Sequence, residues 1–329
     1  MLALVTGAGG FLGQALVRAL VGRGDRVRAL VRRPEPDLHR LPAVGQHLPA
    51  VETLLGDATD PAALARAVRG VEVVFHLAGV RRAAERDEFF RINVGSTRLL
   101  LDACLSGAPG LRRFVLAGSR AASPPSATGC REEEPARPAE AYGESKAEAE
   151  RVAMQYLDRL PVTVARPPRI MGPGDRENLL FFTLARRGWA LRFGRDAPLS
   201  WIDVDDCAAG LLPLGDHPEA VGQAFFLASD ERTSVEGLFL AAAAALGVTP
   251  RRVRVPGPVL SAAAALADAV TRLTGRTLPL DRKLARQLLA PGWVCDTQKA
   301  RARLGFEAAT PLAESIRRAA AWYRARGLV

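Results

Sequence analysis

LALVTGAGGFLG, residues 2–13, places Gly7, Gly10 and Gly13 between an apolar run and a stretch of helical spacing. The apolar run reads as a buried strand. Phe11, Leu12, Ala15, Leu16, Ala19 and Leu20 then repeat at helical intervals. Glycine permits a tight turn and a close backbone approach, and a helix that starts there aims its amino end at whatever the turn holds. A packing turn would also use glycine. The strand–turn–helix context favours a dinucleotide pyrophosphate.

Outward from this turn, strands and helices alternate. Strands are predicted at 2–6, 26–31, 51–55, 71–78, 112–118 and 161–166, mostly apolar on both faces, as a buried parallel sheet requires. DPAALARAVRG (60–70) opens with Asp and closes with Gly, as a helix does. The pattern predicts an α/β fold: a doubly wound parallel sheet of Rossmann type. After residue 167 the rhythm changes. One further strand is predicted at 224–228, and helices at 233–246, 259–273, 281–289 and 310–326. Residues 1–166 with about 203–228 should form the dinucleotide-binding part. About 167–202 with 229–329 should form a smaller, mostly helical substrate lobe.

The 329 residues carry 45 basic and 35 acidic side chains, a net charge of +10, and the only lysines are Lys146, Lys283 and Lys299. The arginines are spread in pairs, and the tightest cluster, RRVR at 251–254, has no interleaved aromatics. Scattered arginines on solvated faces account for this better than a nucleic-acid surface. They would also attract an anionic cofactor or substrate. Cys104, Cys130, Cys207 and Cys295 are far apart in sequence and form no CxxC pair, which predicts idle thiols in a reducing cytoplasm. The first strand leaves no room for a signal peptide, and the apolar stretch VLSAAAALADAV is broken by Asp268. No metal site, nucleic acid or membrane partner is expected; the partner is a small-molecule substrate.

The second strand ends RALVRRPEP, with Arg32 and Arg33 where an acid would accept bonds from a free adenosine ribose 2′-hydroxyl. Arginine suits a 2′-phosphate, although two surface arginines in an arginine-rich chain would look the same. NADP(H) is favoured, with NAD(H) the alternative. Asp57, in GDATD, sits where it can meet the adenine amino group. The small residues of HLAG (76–79) leave a passage for the dinucleotide, and His76 reads as a satisfied core histidine.

YGESK sets Tyr142 and Lys146 four residues apart, on one face of a predicted helix. A nearby ammonium lowers a phenol pKa, and such a tyrosine can give a proton to a carbonyl or take one from an alcohol. Ser119 ends the fifth strand, within reach of the same substrate oxygen or as a turn serine. Asn93, in INVGSTRLLLDA, is either a helix-packing amide or a group bonding backbone near the site.

Together these residues resemble the extended short-chain dehydrogenase/reductase family, the epimerase/dehydratase superfamily, over essentially the whole chain. TGAGGFLG is similar to its cofactor turn, HLAG to its fourth-strand motif and NVGST to the helix after it. RPPRIMGPGD resembles its RPxxVYGPGD segment, WIDVDDCAAG its FIHVDD segment, and the LGFEAATPLAESIRRAAAWYRARG end its usual terminus. The ALVRRP ending of strand two resembles NADPH-using relatives of the dihydroflavonol reductase type. The resemblance implies Tyr142 as acid/base, Lys146 as the residue that lowers its pKa and binds the nicotinamide ribose, and Ser119 as the group polarising the substrate oxygen. Asn93 completes the catalytic set. The implied cofactor contacts are Gly7, Gly10, Phe11, Leu12 and Gly13 in the first turn, and Arg32 and Arg33 after the second strand. Asp57 and Ala58 follow, then Leu77, Ala78 and Gly79, and finally Lys146 and Pro167. A homodimer is the family expectation.

Two positions depart from the pattern. Gly118, followed by Ser119 and Arg120, replaces the usual serine pair, and Asp203 replaces a histidine; both hint at an altered substrate face. Leu199 stands where nucleotide-sugar relatives place a diphosphate arginine. Arg286 is a second candidate lacking its usual Gly-Asp context. The segments 179–193, 259–270 and 291–294 are apolar and suit a hydrophobic pocket. The leading expectation is therefore an NADP(H)-dependent oxidoreductase acting on a hydrophobic carbonyl or alcohol. A nucleotide-sugar epimerase or dehydratase with bound NAD, and a non-catalytic dinucleotide sensor, are the alternatives.

Overall fold

The computed structural model describes residues 1–35, 38, 50–83, 85–274 and 280–329. Its strands in chain order are β1 (Leu2–Thr6), β2 (Arg26–Val31), β3 (Val51–Leu55), β4 (Val73–His76), β5 (Arg113–Ala117), β6 (Ser126–Cys130) and β7 (Val162–Arg166). They continue with β8 (Arg169–Met171), β9 (Trp189–Phe193), β10 (Pro198–Asp203), β11 (Ala224–Phe226), β12 (Arg232–Ser234), β13 (Arg251–Val255) and β14 (Trp293–Cys295).

Seven of them form one parallel sheet in the order β11-β7-β5-β4-β1-β2-β3. Strand order reverses beside β1, so the carboxyl ends of β1 and β4 flank a crevice. In β1, Leu4 pairs with Arg28 on one side and Val74 on the other. Alternate residues feed two cores: Val5, Phe75 and Val115 pack on one face, and Leu4, Val74 and Phe114 on the other. Burial of both faces explains why these strands read as continuous apolar runs rather than as alternation.

Helix α1 (Phe11–Gly22) turns Leu16, Val17 and Leu20 into the first core. Helix α2 (Ala141–Met154) packs Ala149, Val152 and Ala153 on the second. Helix α3 (Val204–Asp216) lies against α1 on the first face and places Cys207, Leu211 and Leu214 in its core.

The second part differs from the sequence expectation. Beyond residue 167 only 224–228 is predicted as strand. The structure adds β8, β9, β10, β12, β13 and β14 there, and β6 earlier in the chain. The order β12-β10-β14-β6, with β8 also on β10, makes a mixed five-stranded sheet, and β9 and β13 pair apart from it. These strands run from three to six residues, too short for period to declare itself. The helices of this part include α4 (Gly257–Thr274), α5 (Arg282–Leu288) and α6 (Leu312–Arg324), beside Leu179–Arg186, Val235–Leu246 and Gln298–Leu304. Strand β6, inside the stretch assigned to the dinucleotide part, pairs with β14 of the second sheet. That pairing sets Cys130 opposite Cys295, so two of the four buried thiols are neighbours despite their distance in sequence.

Candidate functional site

The turn after β1 is built by exclusion. Gly7 has φ +71°, and a Cβ there would lie 2.8 Å from the Ala78 backbone nitrogen. The Gly10 N–H donates to the Gly7 carbonyl at 2.9 Å. A Cβ on Gly13 would sit 2.1 Å from that same oxygen. No side chain caps the first turn of α1, and no acid lies in it, so its first N–H groups face the crevice with their dipole unopposed. This cradle, which any Cβ would fill, fits a pyrophosphate.

Two adjoining cavities meet at the glycines. One, of about 640 Å³, runs past Arg32, Arg33, Asp57, Ala58 and Ala78. The other, of about 1000 Å³, holds Phe11, Leu12, Gly13, Tyr142, Lys146 and Pro167. Gly7, Gly10, Leu77 and Gly79 border both. Every residue expected to contact cofactor thus lines one cavity or the other. Asp57 accepts from the Thr59 hydroxyl at 2.7 Å and its N–H at 2.8 Å. Those bonds, with the Arg32 and Arg91 charges, hold its carboxyl below the usual range. Sequence reading missed Arg91. It also missed Glu35, whose carboxylate packs so closely on Gly9 that a Cβ there would come within 2.6 Å of it.

At the far end, Tyr142 is the second residue of α2. Lys146 is buried and donates to the Ala117 carbonyl at 2.7 Å. Burial pushes its ammonium down to about 8, against the opposing pull of Glu150. Tyr142 departs from expectation. Burial and the carboxylates Glu140 and Glu177 hold its phenol above its ordinary value, while Arg81 and a hydrogen bond with Ser119 pull it down. The cation beside the ring is Arg81, 5.9 Å from its centroid and ion-paired with Glu177 at 3.1 Å. Lys146 faces the Ala117 carbonyl instead. Arg81 lies in a loop after β4, where no spacing signals it.

Ser119 caps a short turn, its hydroxyl accepting the Ala121 N–H at 3.1 Å. Gly118 replaces serine for a steric reason: a Cβ there would meet the Glu150 carboxylate at 2.1 Å. Asn93 is buried, and its amide is fully engaged. It accepts from the Val80 N–H at 2.8 Å and donates to the Val80 carbonyl at 3.1 Å and to Ser145 at 2.9 Å. Its place is behind Gly79, tying the loop after β4 to α2. His76 is buried between Thr6 and Ser96, and burial holds its pKa near 3, so it stays neutral.

Other expected features lie elsewhere. Arg120 is buried and donates to the Val294 and Ser123 carbonyls, fastening the loop after β5 to β14. Asp203 caps α3 and accepts the Ser315 hydroxyl at 2.6 Å, joining α3 to α6. Both are internal struts, not parts of an altered substrate face. Leu199 is buried in the core of the second part, and Arg286 is exposed on α5. The segments read as pocket walls do not line either cavity: Phe181, Phe182 and Ala190 are core. The outer wall is instead residues 170–177 with Trp322 and Arg326 of the C-terminal segment.

A model of the NAD dependent epimerase/dehydratase family matches residues 3–228. The chain belongs to that family. It is similar to the ceramide reductase of Caulobacter vibrioides, 33% identical over 327 residues, covering 98% of this chain and 94% of the relative. The 2-alkyl-3-oxoalkanoate reductase of Stenotrophomonas maltophilia is 32% identical, covering 96% and 97%. The sterol demethylase protein B of Methylococcus capsulatus is 31% identical over the whole of both chains. Among solved structures, the crystal structure of gox2253 superposes with a TM-score of 0.83 at 25% identity, covering 100% of this chain and 99% of the other. MoeE5 in complex with UDP-glucuronic acid and NAD shares the fold, with a TM-score of 0.77 at 24% identity, covering 98% and 99%. The chain is thus an NAD(P)-dependent oxidoreductase of the extended short-chain dehydrogenase/reductase type.

Proposed function

We propose that the chain is an NADP(H)-dependent oxidoreductase that interconverts a hydrophobic, lipid-like carbonyl compound and its alcohol. One observation carries this reading: Tyr142 and Lys146 line a cavity that opens directly onto the glycine cradle, with Ser119 close enough to the Tyr142 phenol to act on its pKa. Arg32 and Arg33 line the cavity on the other side of the cradle and are the proposed 2′-phosphate ligands. When bound, the nicotinamide supplies or accepts the hydride. The Ser119 hydroxyl donates to the substrate carbonyl oxygen and fixes its position. The Tyr142 Oη hands its proton to that oxygen in reduction and takes it back in oxidation. Burial keeps the phenol protonated at neutral pH, as a proton donor requires. Lys146 holds the floor of the site through Ala117 and presents its charge to the ribose. Asn93 acts on the reaction only by positioning the loop after β4 and α2.

The substrate class follows from two supports. The two positions where nucleotide-sugar relatives place a diphosphate arginine do not serve the cavity, since Leu199 is core and Arg286 lies outside it; the arginines that line it are Arg18, Arg81, Arg176 and Arg326. The full-length relatives are named for ceramide, 2-alkyl-3-oxoalkanoate and sterol substrates. We assign cofactor binding to residues 1–166 with about 203–228, and substrate binding to the remainder, in a cytoplasmic, dimeric enzyme.

Titration calorimetry of the purified protein with NADPH, NADP+, NADH and NAD+ tests the reading. A preference for the phosphorylated pair of about tenfold or more is expected, followed by NADPH oxidation with long-chain β-oxo compounds that Tyr142→Phe abolishes. A preference for NAD(H), or NAD that co-purifies and does not exchange, overturns it in favour of a nucleotide-sugar enzyme.

A further inference from the structure

The 18-residue helix α4 is two-faced. Leu260, Ala264 and Ala267 are buried, and the first two pack with Ala285 of α5. A flanking face exposes Val259, Leu266 and Leu273 at 56%, 66% and 86%. These residues are seven apart, so they form one stripe about 21 Å long. Between them the exposed positions are small: Ala262, Ala263 and Ala269. Leu284 of α5 is exposed as well. Large apolar side chains that line up in this way mark an interaction surface rather than scatter.

The surroundings of the stripe are basic. Arg251, Arg252 and Arg254 of β13 lead into α4, and Arg282, Lys283 and Arg286 of α5 follow it; all six are exposed. The nearby acids are already engaged: Asp268 with Arg282, Glu236 between Arg192 and Arg252, and Asp281 as the cap of α5. An apolar stripe rimmed by cations is complementary to an anionic lipid surface, where the leucines enter the acyl boundary and the arginines meet headgroup phosphates. A second copy of this chain would bring the same six cations against their own images. No described helix is long and apolar enough to cross a membrane, so α4 would lie in the interface, not span it.

We propose that α4 and α5, with β13, form a surface that docks the enzyme on an anionic lipid bilayer. Gln287 and Lys283 of α5 lie near the Glu140 carboxyl, just before α2 and two residues from Tyr142 in sequence. The docking surface is therefore beside the helix that carries the acid/base. This deepens the substrate class proposed above, yet it stands on the surface alone and is tested without substrate.

The test is flotation of the intact protein with vesicles of phosphatidylglycerol in phosphatidylcholine, and with vesicles of phosphatidylcholine alone. The protein is expected to float with the anionic vesicles, and less so at high salt. Leu266→Glu/Leu273→Glu should lower the partition coefficient at least tenfold, with the melting temperature and NADPH affinity unchanged. Arg251→Glu/Arg254→Glu should lower it and flatten the salt dependence. Leu266→Gln/Leu273→Gln provides the uncharged control and should also bind more weakly. The proposal is overturned if the folded protein ignores anionic vesicles, or if the leucine variants float as well as the parent. It is also overturned if sedimentation without lipid shows a dimer that these variants dissolve. Failure of vesicle binding leaves the reductase reading standing, and failure of NADPH binding leaves this one standing.

Discussion

The two walls of the cleft are made by different means. The glycine cradle between β1 and α1 is defined by backbone: positive φ at Gly7, and no space for a Cβ at Gly7 or Gly13. The facing wall, from residues 170–177, Arg81 and Trp322, is defined by side chains that reach in from separate loops and from α6. The first wall tolerates one residue type at each place. The second holds charged groups that pair with each other, as Arg81 does with Glu177, and can exchange partners. In the proposed reading a cofactor common to many enzymes would meet the rigid wall, and the substrate, which differs between enzymes, the adaptable one.

The sharpest break in this comparison would come at Tyr142, the point where the walls meet. Tyr142→Phe should lower turnover by about 10²- to 10⁴-fold while NADPH affinity, read by calorimetry, is unchanged. Gly13→Ala attacks the rigid wall itself. With a methyl 2.1 Å from the Gly7 carbonyl, dinucleotide affinity should fall by roughly 10²-fold and the melting temperature with it, whichever cofactor is used. If Gly13→Ala binds normally, the cradle is not the pyrophosphate site.

Lys146→Met separates function from stability. Burial lowers the lysine to about 8, so its charge works against folding wherever the unfolded chain is protonated. Removing it should stabilise the fold by up to about 3 kcal/mol at neutral pH. The gain is full below about pH 8 and fades as pH rises toward the ordinary lysine value of 10.5. Chemical denaturation across that range checks the sign: a loss of stability at neutral pH contradicts the burial argument. Arg32→Ala/Arg33→Ala should weaken NADPH about tenfold and leave NADH unchanged; an equal loss for both would make the pair mere surface charge. The smallest effect is expected on the adaptable wall. Arg81→Gln should move the Tyr142 phenol further upward, read as an ultraviolet difference titration against Tyr142→Phe, and Arg81→Lys should restore it. An unmoved midpoint would return that role to Lys146.

The rigid wall was legible in sequence because steric necessity leaves few residue choices. Strands β1, β2, β3 and β7 fall within a residue of their predicted bounds, since burial on both faces writes itself as an apolar run. The adaptable wall was not legible. Arg81 and Glu35 lie in loops, where no period marks a side chain that reaches a cavity. In sequence, the motif departures at Gly118–Arg120 and at Asp203 hint at an altered substrate face. The structure buries Arg120 and Asp203, for guanidinium bonds to Val294 and a carboxylate bond to Ser315. The short strands around β10 depend on partners 30 or more residues away, and in β14 on one 94 residues away, where Trp293 lies opposite Leu199. No local window holds that information.

The path of the chain between the two sheets has a mechanical consequence. It leaves the large sheet after β5 to place β6 beside β14, returns for β7, departs again for β8 to β10, and comes back once more for β11. The two sheets are sewn together by one thread. A cut between β6 and β11 strips strands from both sheets at once, so neither half survives as a fragment. The cofactor cradle and the substrate wall should therefore melt in a single transition, and a ligand gripping the glycines should stiffen the far wall without touching it.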